Sequence, residues 1–200
     1  AVTPAARRGP DPVRALSDFI QAVYTMLTVR TSVLDRKALL ELERYTAAVQ
    51  HVSPATLATH HMIAGANATM GGSLGEARRQ FGIAEKLYDD FERMPGVHPA
   101  ARLGMYAGVL IGRAVAEAEL SLDSRTTLAT IAKIEALFDQ PTIGPGGGLT
   151  TAELQGACSQ LRMLHHMMRG ERELADEFRE QHRLHGIQAG SDVANTTYRV

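Results

Sequence analysis

Residues 52–94 read VSPATLATHHMIAGANATMGGSLGEARRQFGIAEKLYDDFERM, a stretch that carries its own start, break and restart signals. Ser53 followed by Pro54 supplies an N-cap and a first-turn proline, and Val52 is placed to staple onto Leu57. Gly71-Gly72 ends that helix, and Ser73 with Glu76 reads as a capping box for the next. On the second helix Leu74, Ala77, Phe81, Ala84, Tyr88 and Phe91 recur in strict 3,4,3,4,3 steps, one apolar face. Arg78, Arg79, Glu85, Lys86, Asp89 and Asp90 fall mostly on the rest of its circumference. Gly65, Ala77, Phe81 and Ala84 follow one another at intervals of 12, 4 and 3. That spacing sets small residues where two backbones approach, with one aromatic between them. The stretch is therefore read as an antiparallel helical hairpin.

The same grammar extends in both directions. Residues Ala1 to Pro10 contain two prolines and no periodic apolar pattern, so they read as a flexible lead-in. Asp11-Pro12 opens a helix whose Val13, Leu16, Ile20, Val23 and Leu27 share a face, running to about Val33. Asp35 caps another, with Leu39, Leu42, Thr46 and Val49 repeating the pattern. After Pro95-Gly96, His98-Pro99 opens an Ala- and Gly-rich helix to about Leu120. Asp123 or Ser124 caps the next, on which Leu128, Ile131, Ile134 and Leu137 align. Residues Gln140 to Gly148 form a loop, Thr150 and Glu153 suit a capping box, Gly170 breaks that helix, and Glu171 to Ala189 make the last. Arg172 and Asp176 sit at i,i+4 ion-pair spacing. No segment alternates as a strand does. The expected fold is all-α, about eight helices in stacked antiparallel hairpins, forming a single domain over residues 11–200.

Composition narrows the function classes. Twenty-one basic against 22 acidic side chains give a formal charge of -1, without the field of a nucleic-acid or anionic-membrane binder. Cys158 is the sole cysteine, which excludes an internal disulfide framework and a cysteine-rich zinc site and suits a reducing compartment. No apolar run approaches the ~20 residues of a membrane span, and no secretory leader pattern opens the chain. A cytoplasmic protein is expected. A first residue Ala1 and a last segment, from Ser191, that reads as the start of another helix suggest a piece of a longer polypeptide.

Gly72 precedes Ala77 by five residues, as Gly170 precedes Ala175, and the two breaks lie 98 apart. With Asp123 to Leu128 between them, hairpins recur at intervals of about 50 residues. The central hairpin resembles the tetratricopeptide family in Gly65 on its first helix and in the small, large, small series Ala77, Phe81, Ala84 on its second. It departs from that family at His61, Ala68 and Asp89, where an aromatic, a tyrosine and a proline are usual, and its repeats exceed the family's length of about 34. The longer units, with Gly-acidic breaks such as Arg169-Gly170-Glu171, resemble degenerate repeats of large bacterial signalling proteins in which a kinase or signal-transduction ATPase precedes a helical-repeat region. The resemblance implies a right-handed, tetratricopeptide-like superhelix. It also implies a non-enzymatic module that binds a protein or peptide, or couples neighbouring domains.

Sites of chemistry are sparse. His60-His61 and His165-His166 are adjacent pairs, and neighbours on a helix diverge by about 100°, so neither pair can aim at one ion. His182 and His185 have i,i+3 spacing without identifiable companion ligands. Gly144, Gly146, Gly147 and Gly148 lack the strand, helix and lysine of a phosphate loop. No triad or paired-acid motif is recognisable, and neither metal nor cofactor is expected. The methionines are more informative. If Gly65 faces the partner helix, Met62, Ala66, Thr69 and Met70 line the inner side of the first helix. An offset of 98 carries them to Gln160, Leu164, Met167 and Met168. Met62, Ala66, Thr69, Met70, Leu164, Met167 and Met168 are thus the expected partner-binding face, since methionine suits an adaptable groove, although it is also ordinary core filler. A second reading is a sensory domain that holds a small apolar ligand between helices.

Overall fold

The computed structural model describes residues 36–51, 53–89, 99–120, 124–138 and 151–188. These form seven helices: α1 (Arg36–Val49), α2 (Pro54–Met70), α3 (Leu74–Asp89), α4 (Pro99–Glu119), α5 (Ser124–Glu135), α6 (Thr151–Met168) and α7 (Arg172–Gln188). The described residues contain no strand. The helix expected over Asp11 to Val33, the 140–148 loop, the Val52 staple and the Phe91 position lie outside the described residues.

Local signals explain the helix limits. Ser53 has extended backbone, and its hydroxyl accepts from the Thr56 N–H at 3.2 Å while Thr56 Oγ1 accepts from the Ser53 N–H at 3.0 Å. The capping box of α2 thus closes with threonine in the place usually held by Glu or Gln. The α2–α3 break is a Schellman turn: the Ser73 N–H reaches Ala68 O at 2.8 Å, the Gly72 N–H reaches Thr69 O at 3.0 Å, and Gly72 stands at φ 75°. This turn overrides the capping box expected at Ser73. The Ser73 N–H is already donated to Ala68, and the Glu76 carboxylate turns outward to Arg79 and Gln80. The α6–α7 break repeats the geometry at Gly170, also at φ 75°, with the Glu171 N–H on His166 O at 2.9 Å. The two breaks 98 residues apart are the same turn.

Each helix packs on its neighbour in the chain wherever both are described, and α4 also touches α2 and α6. Two apolar cores result. The first gathers Leu39 and Leu42 of α1, Met62 and Ile63 of α2, Ala77, Phe81, Ala84 and Tyr88 of α3, and Met105 and Val109 of α4. The second joins Ala107, Leu110 and Ala114 of α4 to Ile131 and Ile134 of α5 and Leu154, Cys158 and Leu161 of α6. Helix α4 is shared because its apolar residues cover more than one face. Each large aliphatic or aromatic side chain so buried contributes roughly 1.5–3 kcal/mol.

The closest approach is made around Phe81. A Cβ built on Gly65 of α2 would lie 2.9 Å from Phe81 Cε1, and one on Gly112 of α4 would come closer still to the same ring. The aromatic of α3 therefore sits between two glycines on two different helices. One glycine was legible as the hairpin's small residue. The other was not, because nothing local marks which glycine in an Ala/Gly-rich helix will meet a ring.

Candidate functional site

The seven residues expected to form a partner face do not share one environment. Met62 is fully buried and Ala66 nearly so, both in the first core, with Met70 packed half-buried at its edge. Thr69 is half-buried and spends its hydroxyl on Gly65 O at 3.0 Å. Leu164 is half-buried on α6. Only Met167 and Met168 are open, at 50% and 46% exposure. The offset of 98 transfers the turn geometry and not the burial. The first hairpin has α1 on one side and α4 on the other, whereas α6–α7 is the last described hairpin.

Around Met167 the chain forms an open cavity of about 330 Å³, lined also by Gly170, Arg172, Ala175, Asp176 and Arg179. The wall is mixed: Met167 and Ala175 are apolar, and two guanidinium groups stand against one carboxylate. Asp176 pairs with Arg179 and not with Arg172, as its i,i+4 spacing had suggested. Both pairings are sterically available on a helix, and the i,i+3 one is adopted here. Arg172 makes no ion pair among the described residues. Leu174 of α7 is exposed as well.

The densest polar cluster lies elsewhere, between α3, α4 and α5. Glu85 and Glu117 are buried, at 3% and 0% exposure. Arg113 donates to both, to Glu117 Oε1 at 2.8 Å from Nε and to Glu85 Oε2 from Nη1. Lys133 Nζ reaches Glu85 Oε1 at 2.5 Å, Thr130 Oγ1 donates to Glu117 Oε2 at 2.8 Å, and Arg78 stands 3.7 Å from Glu117 Oε1. Burial alone would pull the Arg113 pKa down, but the hydrogen bond and charge of Glu117, with those of Glu85, outweigh it and raise the pKa. The solvated charged face expected for α3 therefore needs correction at Glu85, which points inward. Its partners lie 28 and 48 residues away, beyond the reach of any local pattern. Two buried carboxylates are a familiar acid–base pair, but every carboxylate oxygen here already receives a cation or hydroxyl. The cluster is a joint between helices.

Five of the histidines on the described helices have hydrogen-bond partners within reach of a ring nitrogen. His60 Nδ1 lies 3.2 Å from Thr46 Oγ1 of α1, and His61 Nδ1 lies 2.6 Å from Gln80 Oε1 of α3, so this pair diverges to two different helices. His166 pairs with Glu171 at 2.6 Å and stacks on Phe178 with ring centroids 5.4 Å apart. His182 Nδ1 meets Gly156 O at 2.8 Å, and His185 Nδ1 lies 3.3 Å from Ser159 Oγ. Ser159 also donates to Gln155 O at 3.0 Å, so its hydroxyl hydrogen points at a carbonyl and not at a base. Among the described residues no three His, Cys, Asp or Glu side chains converge as metal ligands. Burial pushes the Cys158 thiol up to about 12, with the Glu135 charge adding to it, which keeps it an unreactive core thiol.

Among the described residues no helix is long and apolar enough to cross a membrane. The chain matches no protein-family model, no curated protein and no solved structure.

Proposed function

We propose that this chain is a non-enzymatic helical scaffold, a tetratricopeptide-like stack in a bacterial regulatory protein, that binds a protein or peptide or couples adjacent domains. The supporting observation is the contact order: successive helices pair, and α4 touches both α2 and α6. That order is what stacked hairpins require, because no single hairpin can bury its own apolar face. Within this reading the docking position is the α6–α7 end, where Met167 lines an open cavity and Met168 and Leu174 are also exposed. Its occupant is a peptide that places an apolar side chain beside Met167 and Ala175 and an acidic group near Arg172. Met62 and Ala66 of the original seven then act as core. The alternative, a small apolar ligand held between helices, has less support. Phe81 fills the space that Gly65 and Gly112 leave open.

A photo-crosslinking amino acid at position 167 tests the reading in cells, with position 86 on the outer face of α3 as control. A defined partner should be captured at 167 and not at 86. With that partner purified, Met167→Asp should weaken binding at least about tenfold, the loss expected when a buried anchor of ~1.4 kcal/mol or more is removed. Capture confined to position 86 would overturn it.

A further inference from the structure

Among the described residues, helix α1 is covered on one flank only. Leu39 and Leu42 are buried against α2, while Leu40 is 44% exposed and Ala47, two turns further along the same flank, is exposed too. Asn67 of α2 reaches across to α1. Its Nδ2 donates to Leu39 O at 3.0 Å and to Glu43 Oε2 at 2.5 Å. Two acceptors on one side fix the amide orientation, so the other atom must be the carbonyl oxygen. That Oδ1 is buried and has no hydrogen-bond partner, in a residue only 9% exposed. Buried polar atoms are nearly always paired, so this orphan acceptor marks the α1–α2 seam as one whose packing the described residues leave incomplete.

The stack says where that neighbour belongs. α3 and α5 each pack against the helix before and the helix after, and the first helices of successive hairpins, α2, α4 and α6, touch. Helix α1 packs on α2 as α3 packs on α4, so it holds the place of a second helix. The first helix of its hairpin would lie beside both α1 and α2, against the flank that carries Leu40 and Ala47. Thirty-five residues precede α1 in the chain, outside the described residues. Among them Leu16, Ile20, Val23 and Leu27 share one helical face, and Ser17, Gln21, Tyr24 and Thr28 each stand one position further on. Hydrogen-bond donors therefore border that apolar stripe along its length.

We propose that residues 11–33 occupy this site as a helix, covering Leu40 and Ala47 with the Leu16–Ile20–Val23–Leu27 stripe. The N-terminal segment is then a docked element of the stack, independent of any partner at the α6–α7 end. Disulfide mapping tests it cleanly, because the sole native cysteine is buried. In the full chain, Leu40→Cys is combined in turn with Leu16→Cys, Ile20→Cys, Val23→Cys and Leu27→Cys, and with Asp18→Cys and Ala22→Cys as controls from the opposite side. Under mild oxidation one or more stripe pairs should close an intramolecular disulfide several-fold faster than either control. Hydrogen exchange of the amides of 36–49 should also accelerate in full-chain Ile20→Asp. Equal rates at stripe and control positions, with unchanged exchange, would overturn the assignment. So would disulfides that form only between molecules, the result expected if a second copy covers this flank.

Discussion

At the residue scale the fold turns on Phe81, whose ring occupies the gap between Gly65 and Gly112. Two opposite errors at this point are both costly. Phe81→Ala should destabilise by roughly 3–5 kcal/mol through lost burial and the cavity left behind. Gly112→Ala should destabilise by about 1–3 kcal/mol, because a methyl there overlaps the ring and one of the two helices must move. The contact makes a sharper claim than either number: in a Phe81→Leu background the loss from Gly112→Ala should shrink, since the smaller side chain vacates the space. Urea unfolding of the four proteins in that cycle measures it, and additive losses would separate the two residues. Hairpin spacing made Phe81 and Gly65 legible as partners. Gly112 became a partner only through the packing of α4 onto α3.

At the element scale, apolar periodicity places the helices and polar contacts lock them in register. Helices α3, α4 and α5 share the Arg113 joint, where Glu117 is fully buried and Glu85 nearly so. Arg113→Met should destabilise by roughly 3–5 kcal/mol, the cost of leaving a buried carboxylate without its counter-charge. Lys133→Met should cost no more than about 1 kcal/mol, because its side chain is 52% exposed and the pair is screened. Thermal or urea unfolding ranks the two, and a Lys133 loss equal to that of Arg113 would mean that Arg113 is not the centre of the joint. The turns behave differently. Gly72 and Gly170 both take the left-handed conformation because the Schellman closure requires it, and that much follows from glycine at a helix end.

At the scale of the whole molecule, the buried His165 and the half-buried His60 tie stability to pH. Burial, together with the charge of the neighbouring His61, lowers the pKa of His60; burial, His166, Arg169 and Arg162 lower that of His165 against the opposing charge of Glu171. The unfolded chain takes up protons near the ordinary value of 6.5 while the folded chain resists, so the stabilising contribution is complete above that pH and is lost as pH falls through the lowered values. The urea midpoint should therefore begin to fall as pH drops below about 6.5, with a shallower fall in His165→Gln. A midpoint constant from pH 8 to pH 5 would remove both histidines from the account. The exposed Glu76 is held at about 2 by hydrogen bonds from Arg79 and Gln80 and by the Arg79 charge, against an opposing desolvation, but solvent screening leaves that pair little weight in stability. By itself the sequence determined the all-α class, the start and end of α2 and the start of α3, the repeated turn and the inward stripe of α3 as far as Tyr88, because caps, breaks and period depend on residues within a turn or two of one another. Only the tertiary structure decided that Met62 is core while Met167 is surface, that Glu85 points inward, that Asn67 Oδ1 lacks a donor and that Gly112 meets Phe81. Each of those depends on which helices stand next to which, and contacts between residues 24, 28 or 48 apart in the chain leave no local pattern to read.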